Sequence, residues 1–65
     1  MAGNIETNTR KIVARLVREG WISGGGAKHE KFTHPNRPGE AVIVPRHRTQ
    51  KIGTARSIAK AADWL

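Results

Sequence analysis

Residues 28–45 read KHEKFTHPNRPGEAVIVP, and this stretch decides the fold. From Lys28 to His34 the chain alternates in character around Phe32, as a half-buried strand does. Pro35-Asn36-Arg37-Pro38-Gly39 is a turn: proline presets φ, and glycine and asparagine tolerate conformations closed to other residues. Ala41-Val42-Ile43-Val44 is β-branched and bounded by Gly39 and Pro45, the clearest strand in the sequence. Two strands joined by so short a turn pair antiparallel.

Towards the N-terminus, Trp21-Ile22-Ser23 is a candidate first strand, broken by Gly24-Gly25-Gly26. Three glycines can also cradle a phosphate with bare backbone N–H groups. The run lacks the Lys-Ser or Lys-Thr that follows a P-loop and does not fit G-x-G-x-x-G, so the turn is preferred. Before it, Thr9 to Glu19 carries Ile12, Val13, Leu16 and Val17 at a spacing that makes one apolar helical stripe. Thr7 or Asn8 fits the N-cap and Gly20 the C′ position. Arg10, Lys11, Arg15 and Arg18 fall mostly off the stripe and should be solvated.

Towards the C-terminus, residues 46–52, RHRTQKI, form a basic connection. Gly53-Thr54 should open a second helix with Thr54 as N-cap, and Ala55, Ile58, Ala59 and Ala62 share one face. Trp64 and Leu65 are expected to close one edge of the core. The expected fold is α+β: helix, strand, strand, strand, helix, a three-stranded antiparallel meander with both helices on one face. Residues 1–8 read as a short polar, frayed lead-in and 9–65 as a single domain. A chain of 65 residues buries only about 60% of its unfolded surface, so the core is thin and chemistry belongs on a surface or in a shallow cleft.

Twelve Lys and Arg against five Asp and Glu give a formal net charge of +7, more than solubility needs. The partners this implies are polyanions: nucleic acid, an anionic membrane surface or an acidic protein. With no cysteine, disulfides, thiolate metal sites and a Cys nucleophile are excluded, which fits a reducing cytoplasm. No apolar run approaches the ~20 residues of a membrane span, and the polar stretch from Met1 to Arg10 does not read as a signal peptide.

The candidate chemistry lies with His29, His34 and His47, because imidazole is the side chain that exchanges protons near neutral pH without special tuning. RNA cleavage by its own 2′-OH needs a base for that proton, an acid for the leaving 5′-oxygen, and cations for the phosphate. If Phe32 points to the core, His29 and Lys31 stand together on the open face, while His34 shares the parity of Phe32 and reads as structural. His47 is either a phosphate contact or a plain surface residue. Histidine spacings of five and thirteen match no common zinc pattern, so neither a metal nor a cofactor is expected. No spacing brings two of Glu6, Glu30 and Glu40 together, so carboxylate-pair hydrolysis is not supported. The candidate RNA contacts are Lys28 and Lys31 beside His29, then Arg46, Arg48 and Lys51, and Arg56 in what should be the first turn of the last helix, whose N-terminus suits a phosphate. With only Phe32, Trp21 and Trp64, base stacking is poorly provided for, and contacts should run mainly to the backbone.

Over residues 9–65 the chain resembles the HicA family of bacterial toxins, small RNases that cut messenger RNA. The resemblance is carried by Leu16-x-x-x-Gly20-Trp21, by His29 with Phe32 and His34-Pro35, by Val42-Ile43-Val44-Pro45-Arg46-His47, and by Gly53-Thr54-Ala55-Arg56-Ser57-Ile58. It implies a double-stranded-RNA-binding-domain-like fold, His29 as the catalytic residue, and a HicB-like antitoxin partner that blocks the site. The chain has Ala27-Lys28 where the family usually has Gly-Ser, and Lys28 offers a direct cation there. The alternatives are a non-catalytic module that binds duplex RNA by shape and a docking domain for an acidic protein.

Overall fold

A computed structural model describes residues 5–65; of the expected lead-in, residues 1–4 lie outside the described residues. The elements are α1 (Thr9–Arg18), β1 (Ile22–Ser23), β2 (His29–Thr33), β3 (Val42–Pro45) and α2 (Ile52–Ala61). The strands form one antiparallel sheet in the order β1-β2-β3. This is the α-β-β-β-α order expected from the sequence.

Register places Phe32 opposite Val42 and Glu30 opposite Val44 on one face, with Lys31 opposite Ile43 and His29 opposite Pro45 on the other. The first face is the core. Phe32, Val42 and Val44 are buried together with Ile12 and Leu16 of α1 and Ile58 of α2, and with Trp21 and Ala62 just beyond the helices. Both helices therefore cover the same side of the sheet, as alternation around Phe32 requires.

Each helix ends in the same way. Gly20, at φ 96°, follows α1; its N–H donates to Val17 O, and the Trp21 N–H reaches back to Leu16 O. Asp63, at φ 66°, follows α2; its N–H donates to Lys60 O, and the Trp64 N–H reaches Ala59 O. Both are Schellman turns, and each ties a tryptophan N–H back to its own helix, while the Trp64 ring lies against Arg15 and Glu19 at the end of α1. At the other end of α1, Asn8 rather than Thr7 is the cap, its Oδ1 accepting from the Lys11 N–H at 3.1 Å.

Four expectations change. Thr54 does not cap α2: the helix begins at Ile52 with Lys51 as N-cap and no side-chain cap bond, which puts Arg56 beyond the first turn. The cause is tertiary. The Gln50 N–H donates to Thr7 O and the Thr9 N–H to Arg48 O, so the connection is fixed to the start of α1 and the chain turns into its helix immediately afterwards. Val17 is 56% exposed, because a helix this short that packs mainly on β1 buries its Ile12–Leu16 line, and Val17 lies a further 100° round. Leu65 is 58% exposed, since the turn at Asp63 folds Trp64 inward and carries the next residue out. Within the lead-in, Thr7 and Asn8 join the fold through the Gln50 bond and an antiparallel bridge between Asn8 and Thr49.

Candidate active site

β2 begins at His29, and the pleat turns that residue away from Phe32, so its side chain is exposed on the open face. The loop before it is shaped by glycine. Gly25 and Gly26 have φ of 82° and 124°, and a Cβ on Gly26 would collide with the carbonyl oxygen of His29. Gly24 N–H donates to Lys31 O at 2.7 Å, so the glycine run continues the β1–β2 ladder rather than forming an anion nest.

His29 lines an open cleft of about 730 Å³ with Pro45, His47, Gln50, Lys51 and Thr54 among its other walls. Pro45 is the cross-strand partner of His29, and the His47 N–H folds back onto Pro45 O at 2.9 Å, bringing the second histidine to the same opening. Gln50 is the buried polar residue of the core side; its Nε2 donates to Thr9 Oγ1 at 2.7 Å and to Pro45 O at 2.8 Å. The start of α2 forms another wall. Its first helical bond is Ala55 N–H to Lys51 O, and its first turn has neither a side-chain cap nor an acidic residue. Its leading N–H groups give that wall a positive character suited to an anion.

Of the sequence-based candidates, the fold brings His29 and Lys51 into this cleft. Lys31 stands two residues along the same open face, opposite Ile43. Lys28 is exposed just before β2, its carbonyl accepting from the Arg46 N–H. Arg46 is partly occupied: its Nε–H donates to Gly26 O at 2.7 Å, and its guanidinium lies 3.8 Å from Glu30, whose side chain alternates away from His29. Arg48 lines an adjoining hollow with Asn8, Thr9, Arg10 and, again, His47. Arg56 is exposed on α2 outside the cleft lining.

His34 has a structural place. Its Nδ1 accepts from the Asn36 N–H at 3.1 Å, its Nε2 donates to Glu19 O at 2.9 Å, and its ring meets Trp21 edge-on. Both ring nitrogens are engaged, leaving none for catalysis. Sequence reading left His47 undecided and did not single out Gln50; only the turn at Pro45 shows that both belong to the cleft. A smaller hollow of about 310 Å³ beside Trp64 carries Lys11, Arg15 and Arg18 but no histidine. Among the described residues no group of three or more His, Cys, Asp or Glu could hold a metal ion, and no helix is long and apolar enough to cross a membrane.

Fold and cleft together define a small basic α+β domain with an opening, lined by two histidines, between the sheet and a helix start. The family model described as "HicA toxin of bacterial toxin-antitoxin" matches residues 9–64, and the chain belongs to that family. It is thus a toxin of the toxin–antitoxin kind, and an antitoxin partner follows from that membership. No curated protein matches the chain.

Proposed function

We propose that this toxin is a metal-independent endoribonuclease that cuts messenger RNA, with His29 exchanging a proton with the reacting ribose or leaving oxygen. The observation that carries the reading is the position of His29: outward on the open face, sharing a cleft with Lys51 and the uncapped start of α2. An imidazole there can serve as general base or acid, while the lysine and helix N–H groups hold the phosphate. Lys28, Lys31, Arg48 and Arg56 guide the flanking backbone, and Arg46 adds the guanidinium N–H groups not spent on Gly26 and Glu30. The element order suits a double-stranded-RNA-binding-domain-like fold. The site works in the cytoplasm, where the messenger is, and a HicB-like antitoxin silences it by covering the basic face with complementary charge. The domain responsible is residues 9–65, with 1–8 as a lead-in whose Thr7 and Asn8 pair with the connection before α2.

The test is expression with and without His29→Ala. The wild type arrests growth and fragments messenger RNA, and EDTA leaves cleavage by the purified protein unchanged. The variant retains its fold and loses roughly 10²–10⁴ in cleavage rate. A folded His29→Ala protein that remains equally toxic ends the proposal. RNA binding with steep salt dependence and no products would instead favour the non-catalytic module.

A further inference from the structure

We infer that His47 is the second proton-transfer group of this site, complementary to His29; the inference rests on the ribonuclease reading above. One imidazole cannot take the 2′-OH proton and deliver a proton to the leaving 5′-oxygen in the same displacement, so a two-sided mechanism needs a second group at the same opening. The carboxylates do not supply it. Glu30 is held by the Ser23 hydroxyl and Arg46, Glu19 by Arg15 and Trp64, and Glu40 and Asp63 by Arg37; none of these lines the cleft, nor does Glu6. His34 is spent on Glu19 and Asn36. His47 lines the cleft with His29.

The backbone that carries His47 is held unusually well for a surface loop. Pro45 O accepts from the buried Gln50 amide and from the His47 N–H, Arg48 O accepts from the Thr9 N–H, and the Gln50 N–H is bound by Thr7 O. The His47 ring itself makes none of the side-chain hydrogen bonds or ion pairs found among the described residues, and it is exposed. A fixed backbone presenting an uncommitted imidazole to the cleft that a second one lines is what a proton-transfer pair requires, since catalytic groups must be placed before the substrate arrives.

The step balances without a co-reactant. The 2′-oxygen attacks phosphorus and the bond from phosphorus to the 5′-oxygen breaks. One histidine receives the 2′-OH proton and the other donates a proton to the departing 5′-oxygen. The products are a 2′,3′-cyclic phosphate and a 5′-hydroxyl, and proton exchange with water resets the pair.

The experiment compares wild type, His29→Ala, His47→Ala and His47→Gln on two RNAs of one sequence, one ordinary and one with sulfur in place of the 5′-bridging oxygen at the cut. Sulfur leaves without protonation, so it rescues loss of the acid and not loss of the base. On ordinary RNA both His47 variants should fall about 10²-fold or more. The sulfur substrate should rescue the variants of one histidine and not those of the other, and wild-type products should end in cyclic phosphate. Unaltered turnover in the folded His47 variants, or no rescue at either position, overturns the inference while leaving His29 as the catalytic residue. Absence of cleavage by the wild type overturns both readings.

Discussion

His29 owes its exposure to strand parity, but its exact height in the cleft depends on a residue with no side chain. Gly26 stands where a Cβ would strike the His29 carbonyl oxygen, and its φ of 124° is foreign to L-residues. Gly25 is nearby at φ 82° with open space around it. The two should therefore respond differently to alanine. Gly25→Ala should lower stability by about 1–2 kcal/mol, the left-handed penalty alone, and leave cleavage near wild type. Gly26→Ala must displace backbone as well, so it should be the more destabilising and should lower cleavage even where the protein stays folded. Chemical denaturation alongside a cleavage assay distinguishes them; equal effects at both positions would remove Gly26 from the account of how His29 is placed.

At the scale of elements, α1 is held by one line of side chains and by the residue that caps its C-terminal end. Leu16 is fully buried while Val17, its neighbour, is exposed. Leu16→Ala should cost about 2–5 kcal/mol, and Val17→Ala within roughly 0.5 kcal/mol, as for surface substitutions generally. Comparable losses in denaturant titrations would mean the helix is rotated. The C-cap, Glu19, joins three elements: its Oε1 accepts from Trp64 Nε1–H at 2.7 Å, its Oε2 from Arg15 Nε–H at 3.0 Å, and its carbonyl from His34. The Trp64 bond, with Arg15 beside it, holds the Glu19 carboxyl below its ordinary value of 4.5, against a smaller opposing effect of burial. A carboxyl depressed on folding contributes stability above its unfolded pKa and loses it as pH falls through the folded one. The contribution of Glu19 is thus complete at neutral pH and fades below about pH 4.5. Melting temperatures measured from pH 7 to 3 should show Glu19→Gln less stable at neutral pH and the gap closing in acid; a constant gap would remove ionisation of Glu19 from the account.

On the whole molecule, most of the positive charge is not spent on internal pairing. Among the described residues only Arg15, Arg37 and Arg46 enter ion pairs, and all four pairs involve exposed groups, so they add little stability. The other lysines and arginines enter none of these pairs, and on the proposed reading they meet phosphate. RNA affinity should fall linearly with the logarithm of salt concentration, and Lys51→Ala should reduce the magnitude of that slope by about 0.7, one single-strand phosphate contact. Filter binding across a salt series checks this; an unchanged slope would place Lys51 away from the backbone path.

The sequence by itself determined the order of the elements, the buried face and the outward turn of His29, because those follow from local periodicity: Phe32, Val42 and Val44 can share a face in only one pleat. It also marked Gly20 as a helix end, since a residue at φ 96° after α1 asks for glycine. Tertiary structure alone decided where α2 starts, which cations stand at the cleft and which histidine joins His29. The start of α2 depends on two hydrogen bonds, Gln50 N–H to Thr7 O and Thr9 N–H to Arg48 O, between segments some forty residues apart. Lys51 enters the cleft while Arg46 is drawn to Gly26 and Glu30, although both looked alike as exposed cations. His47 reaches the opening through a turn at Pro45 held by the buried Gln50 amide, and that amide is itself tied to the distant Thr9 hydroxyl, a contact that leaves no periodic trace in the sequence.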